Sequence, residues 1–146
     1  MTVNSNGAWK TTFAISGATR TWQSTSPQLR TVTTTVDASD RPLSVTVPGL
    51  MPVSMLYDPR GRLTDVTQGT RLWHYDYDDS GRVSRAVSPA FDEVHYRYDP
   101  AGRLLRQELP GARAVGFDYD ANGNLTSLTP PGREPHEFDY SGVDQA

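Results

Sequence analysis

Tyr98-Asp99-Pro100-Ala101-Gly102-Arg103-Leu104 is the stretch on which the reading of this chain turns, because the chain repeats it. Tyr57-Asp58-Pro59-Arg60-Gly61-Arg62-Leu63 and Tyr77-Asp78-Asp79-Ser80-Gly81-Arg82-Val83 precede it, and Tyr119-Asp120-Ala121-Asn122-Gly123-Asn124-Leu125 follows. The four tyrosines are 20, 21 and 21 residues apart, and one further step of 21 reaches Tyr140. A fixed period of this length is the signature of a repeat architecture. Traced backwards, it reaches Val36 in Val36-Asp37-Ala38-Ser39-Asp40-Arg41, where Asp and Arg persist while Tyr and Gly are lost. A last step back lands on Ile15, with Arg20 at the matching offset. Arg stands five residues after the first repeat position at 20, 41, 62, 82 and 103, and Asn124 breaks the run.

Each repeat carries two turn signals and two extended runs. In Asp-Pro-x-Gly the Asp side chain can accept a nearby main-chain N–H. Pro59 and Pro100 suit the second position of a type I turn, and Gly61, Gly81, Gly102 and Gly123 follow where a turn with a bulge requires positive φ. The second turn comes about twelve residues after each tyrosine, at Gly69, Pro89, Pro110-Gly111 and Pro130-Pro131-Gly132. Between turns the residues alternate, as in Trp73-His74-Tyr75-Asp76-Tyr77, Val94-His95-Tyr96-Arg97-Tyr98 and Val115-Gly116-Phe117-Asp118-Tyr119. Alternation with aromatic and β-branched residues predicts strands. The returning runs step by three from Leu63 to Val66 and from Leu125 to Leu128, which a bulge or strong twist would absorb. No helical spacing escapes Gly or Pro for three turns. The expected fold is all-β, a curved antiparallel meander of six or seven hairpins. Residues 36–146 form the repeats and residues 1–35 decayed N-terminal strands, with Trp9 to Ile15 and Thr31 to Val36 extended and Ser24 to Pro27 a loop.

The 146 residues amount to one domain, with no linker in view. The absence of cysteine excludes disulfides and thiolate metal sites. A net charge of −3 and no Lys/Arg run argue against nucleic-acid binding. Met1-Thr2-Val3-Asn4-Ser5-Asn6 does not read as a Sec signal peptide. No apolar stretch approaches the roughly 20 residues of a membrane helix, so no membrane insertion is expected.

Candidate chemistry yields to the repeat at each point. His74 and His95 share a repeat position, but equivalent residues of successive hairpins lie about 10 Å apart, too far for one zinc ion; His136 is one place out of register. Asp76 to Gly81 and Asp118 to Gly123 imitate the start of an EF-hand loop, yet Val87 and Thr129 stand where a bidentate Glu is required. Asp79-Ser80-Gly81 resembles an aspartic-protease tripeptide but reads otherwise in the sister repeats. No cofactor, metal or catalytic residue is expected, and the chain is read as no enzyme. The Asp and Arg of each repeat are expected to pair as exposed ions across the hairpin mouth, where such pairs contribute about 0–1 kcal/mol. The tyrosines are expected to pack against Leu and Val on one face; a carbohydrate- or protein-binding platform is the alternative.

The Tyr-Asp-x-x-Gly-Arg-Leu unit at this period resembles the YD repeats of Rhs (rearrangement hotspot) proteins, over Val36 to Asp144 above all. The resemblance implies hairpin strips that spiral into a hollow shell around a C-terminal toxin or other cargo, as in bacterial Rhs toxins, with a similar shell in teneurin ectodomains. It implies a structural scaffold with the remainder of a larger shell and its cargo as partners. It also implies export or secretion after a cytoplasmic stage. Asp58-Pro59-Arg60-Gly61 and Asp99-Pro100-Ala101-Gly102 echo the self-cleavage element of that family, but both sit in ordinary repeats and are followed by Arg, so no catalytic residue carries over. The structural signature is Tyr57, Asp58, Gly61, Arg62, Tyr77, Asp78, Gly81, Arg82, Tyr98, Asp99, Gly102, Arg103, Tyr119, Asp120 and Gly123. A single sheet with Trp73, Tyr75, Tyr96, Tyr98, Val115 and Phe117 on one face is expected to self-associate when isolated.

Overall fold

The structure, a computed structural model, describes residues 10–90 and 92–140. Among them there is no helix. The strands are β1 (Lys10–Ser16), β2 (Thr19–Thr25), β3 (Thr31–Val36), β4 (Pro42–Thr46), β5 (Val53–Tyr57), β6 (Leu63–Gln68), β7 (Arg71–Tyr77), β8 (Val83–Ser88), β9 (Asp92–Tyr98), β10 (Leu104–Leu109), β11 (Arg113–Tyr119), β12 (Leu125–Thr129) and β13 (His136–Glu137). The chain divides into two compact units, Met1–His74 and Tyr75–Ala146. The division runs through β7, with no linker. Within each unit strand order follows chain order and every described pairing is antiparallel, the meander that a repeated hairpin dictates.

Register explains the three-residue steps. Tyr57 lies opposite Leu63 and Leu56 opposite Asp65, so Thr64 is an extra residue in the returning strand. Leu43, Leu105 and Thr126 occupy the same place beside Val36–Pro42, Tyr98–Leu104 and Tyr119–Leu125. These bulges put Leu63 and Val66 on the face that carries Tyr57, where uninterrupted alternation would separate them. Met55 then faces Val66, and Val66 faces Trp73.

The N-terminal region differs from expectation in one element. Thr31–Val36 is a strand as expected, and Lys10–Ser16 covers the described part of the first expected strand, Trp9 lying outside the described residues. But Ser24 and Thr25 belong to β2, and the loop begins at Ser26. β2 has no alternating apolar pattern because Trp22 is its one large apolar residue. Strands on both sides hold it, Phe13 and Thr34 each pairing with Trp22.

One face of each unit is apolar. In the first, Phe13, Trp22, Thr34, Val45 and Val53 occupy successive partner positions across β1 to β5, and the Phe13 and Trp22 rings meet at 4.5 Å. In the second, Tyr98 faces Leu104 and Phe117 faces Leu128. Within each unit strands touch only their chain neighbours. Only Val36 and Val94 are buried apolar side chains among the described residues, whereas a globular domain covers a sheet face with a second layer.

Candidate functional site

The Asp-x-x-Gly-Arg turn is a closed clasp. In Asp58 to Arg62, the Asp58 N–H donates to the Arg62 carbonyl at 2.9 Å and the Gly61 N–H to the Asp58 carbonyl at 2.9 Å. The carboxylate completes it: Oδ1 accepts the Arg60 and Arg62 N–H groups, and Oδ2 accepts Arg62 Nε at 2.7 Å. Asp37, Asp78 and Asp99 hold Arg41, Arg82 and Arg103 in the same way. Asp120 holds Asn124, whose Nδ2 takes the place of the guanidinium at 2.9 Å. The glycines turn with φ of +83° at Gly61 and +89° at Gly102, as a turn with a bulge requires. Asp40 takes this place in the decayed repeat with φ +62°.

These bonds keep the carboxylates ionised. Main-chain N–H groups of Arg41, Arg62 and Arg82 are the largest cause lowering the pKa of Asp37, Asp58 and Asp78, with the paired guanidinium adding to it. At Asp99 burial is the largest influence and acts to raise the pKa, but Arg103 outweighs it and the net direction is down. The Asn124 side chain leads the lowering at Asp120. The pairs are not the exposed ions expected from the sequence: Asp99 is buried, and the other four turn carboxylates are half-buried.

Within each unit clasps are joined to one another. Having bonded its own Asp, the Arg of three of these turns lies over the tyrosine of the next repeat: Arg41 over Tyr57 at 4.9 Å, Arg82 over Tyr98 at 4.6 Å and Arg103 over Tyr119 at 4.8 Å. Arg82 and Arg103 also donate Nη1 to the carbonyls of Asp99 and Asp120. The tyrosine hydroxyls reach back to the carbonyls of Pro42, Val83 and Leu104, the residues that follow those arginines. Desolvation and a fixed cation–π geometry thus act on the same groups. In each unit the result is a ladder along one end of the strands, its rungs made of Asp, Arg and Tyr. Arg20, which meets Val36 instead of a ring, bonds the carbonyls of Asp37 and Ala38 and pairs with Asp40.

The face opposite the aromatics in the second unit is ionic. Arg85 bridges Asp76 at 2.8 Å and Glu93 at 2.6 Å, and His95 contacts the same Glu93 oxygen at 2.8 Å. Glu108 accepts from Arg97 at 2.9 Å and approaches Arg106 at 3.3 Å. Arg85, foremost, lowers the pKa of Glu93, and Arg97 that of Glu108. His74 pairs with Asp65 at 2.9 Å, and His136 lies opposite Leu128. No group of three His, Asp or Glu side chains suited to a metal ion occurs among the described residues. Of the acidic residues in the EF-hand-like stretches, Asp78 and Asp120 are engaged inside their own turns and Asp76 pairs with Arg85.

The teneurin YD-shell profile matches residues 1–143. The chain belongs to the teneurin YD-shell family. This YD-shell chain is also similar in fold to the Photorhabdus luminescens Tc holotoxin pore carrying a TccC3 substitution, with a TM-score of 0.63, and to TcdB2-TccC3-Cdc42 and TcdB2-TccC3 without its hypervariable C-terminal region, each at 0.64. Identity is 18% in each case, and the match covers 84% of this chain and 7% of the other. No curated protein matches it in sequence.

In the YD-shell chain the signature tyrosines, aspartates, glycines and arginines converge at the turns, and the histidines do not converge with them. The sequence reading paired each Asp with the Arg of its own turn but missed the reach of Arg to the next tyrosine. The signal is a constant offset: 16 residues separate Arg41 from Tyr57, Arg82 from Tyr98 and Arg103 from Tyr119. It becomes legible only once successive turns are known to stack side by side. The ionic face was missed too, although its residues occupy the polar parity of β7 to β10.

Proposed function

We propose that this chain is a wall segment of a larger exported shell that encloses a C-terminal toxin or other cargo, and that the repeat-signature residues serve structure alone. The observation that carries the proposal is the ladder. A hairpin whose arginine completes its neighbour's turn adds to a growing strip in one direction, which suits a wall and has no use in an isolated binding site. The uncovered apolar faces support it as well, since further strips of a shell would supply the missing layer. The family's structural character fits a chain without enzymatic activity. The remainder of the shell and the cargo are then the partners, and export follows a cytoplasmic stage.

Limited proteolysis of the full-length protein tests this. The C-terminal region should resist trypsin in the native protein, and Arg82→Ala combined with Arg103→Ala should expose it. Cleavage of that region at the same rate in native and substituted proteins would defeat the enclosure reading. The half-exposed aromatic face favours one other reading, a carbohydrate- or protein-binding module. Binding on a glycan array that Trp73→Ala abolishes would support it.

A further inference from the structure

The ladder stops at Asn124. Sixteen residues beyond Asn124, at the offset of the three rungs, stands Tyr140. Asn124 keeps every bond of its own clasp: its N–H donates to Asp120 Oδ1 at 2.8 Å, its Nδ2 to Oδ2 at 2.9 Å, and its carbonyl accepts the Asp120 N–H at 3.0 Å. What it lacks is charge and reach. A short neutral amide supplies no cation to lie over a ring in the following turn.

The structure beyond Asn124 changes accordingly. The hydroxyls of Tyr57, Tyr98 and Tyr119 donate to carbonyls of the preceding repeat. Tyr140 is 47% exposed and has no hydrogen bond or ring contact among the described residues. β13 has 2 residues, against 5 to 7 in the other strands. Past its two paired residues, one main-chain bond joins it to β12, from the Phe138 N–H to the Thr126 carbonyl at 2.9 Å.

We propose that Asn124 is a break in repeat-to-repeat coupling. The strands from β8 to β12 open together because Arg82 and Arg103 tie each turn to the next. β13 opens by itself because nothing ties the turn at Asn124 to Tyr140. The strip can then part at this seam while the clasp at Asp120 stays closed. Local opening of this kind is read by amide exchange. The short length of β13 also favours opening, so the test must isolate the ring.

Residue-resolved amide hydrogen exchange on the whole chain provides it. The Phe138 amide should exchange at least about tenfold faster than that of Phe117 in β11. Asn124→Arg, which restores the residue found in the other turns, should slow Phe138 exchange by about three- to tenfold, the range of a new cation–π contact. Adding Tyr140→Leu to that variant should restore the original rate, whereas Tyr140→Leu alone should leave it unchanged. An Asn124→Arg variant with unaltered Phe138 exchange would overturn the proposal. So would slowing that persists without the Tyr140 ring, or acceleration by Tyr140→Leu alone.

Discussion

At Gly102 the main chain turns with φ +89°, and a Cβ there would sit 3.6 Å from Arg82 Nη1. A β-branched residue is strained at that φ, and its added methyls would press on the guanidinium that covers Tyr98. Gly102→Val should therefore destabilise the chain by about 1–3 kcal/mol. Ser80→Ala, in a turn where Ser80 is exposed, should be near neutral. Urea midpoints of the two variants against the parent measure the difference, and equal midpoints would refute the need for glycine. The same place in the decayed repeat is held by Asp40, one of the few residue types that tolerates positive φ. A lost glycine therefore did not mean a lost turn.

At the scale of elements, the repeated hairpin, its two turns and the returning runs were legible because period, turn chemistry and alternation agree. The bulge was legible as a need, from the step between Leu63 and Val66, and the register places it at Thr64. β2 was not, since threonine-rich strands held from both sides carry no apolar alternation. The ladder was not, since its contacts join residues of different turns. Acid should report the clasps as a group. Asp37, Asp58, Asp78, Asp99 and Asp120 all titrate below their ordinary value in the folded chain. The unfolded chain takes up their protons first, near pH 3.9. Their contribution is fully present above that pH and is lost as pH falls through the lower folded values. A melting temperature that falls steeply below about pH 4 is expected. Thermal melts from pH 6 to pH 3 with a constant midpoint would contradict it.

At the scale of the molecule, the apolar faces stand uncovered among the described residues. Ile15 is 68% exposed, and both rings of the Phe13–Trp22 pair are also exposed. β1 exposes all seven residues, has no Pro or bulge, and carries a single charge at Lys10. Natural edge strands are usually guarded by such devices. In isolation the chain is therefore expected to associate, as a dimer or larger assembly at micromolar concentration, through the aromatic face or edge to edge. Light scattering after gel filtration gives the mass directly. A monodisperse species of 16.1 kDa that binds no hydrophobic dye would rule this out.

Strand order that follows chain order also fixes how this protein bears load. Tension on the two ends of either unit cannot shear many hydrogen bonds at once, because no described strand is flanked by chain remote from it in sequence. The second unit unzips from its ends, β13 first and the strands coupled through Arg82 and Arg103 together after it. A repeat of 21 residues pays out roughly 70 Å of extended chain. A wall made this way resists collapse as a sheet and yields as a thread. It can be unravelled in uniform lengths by anything that grips a terminus and pulls.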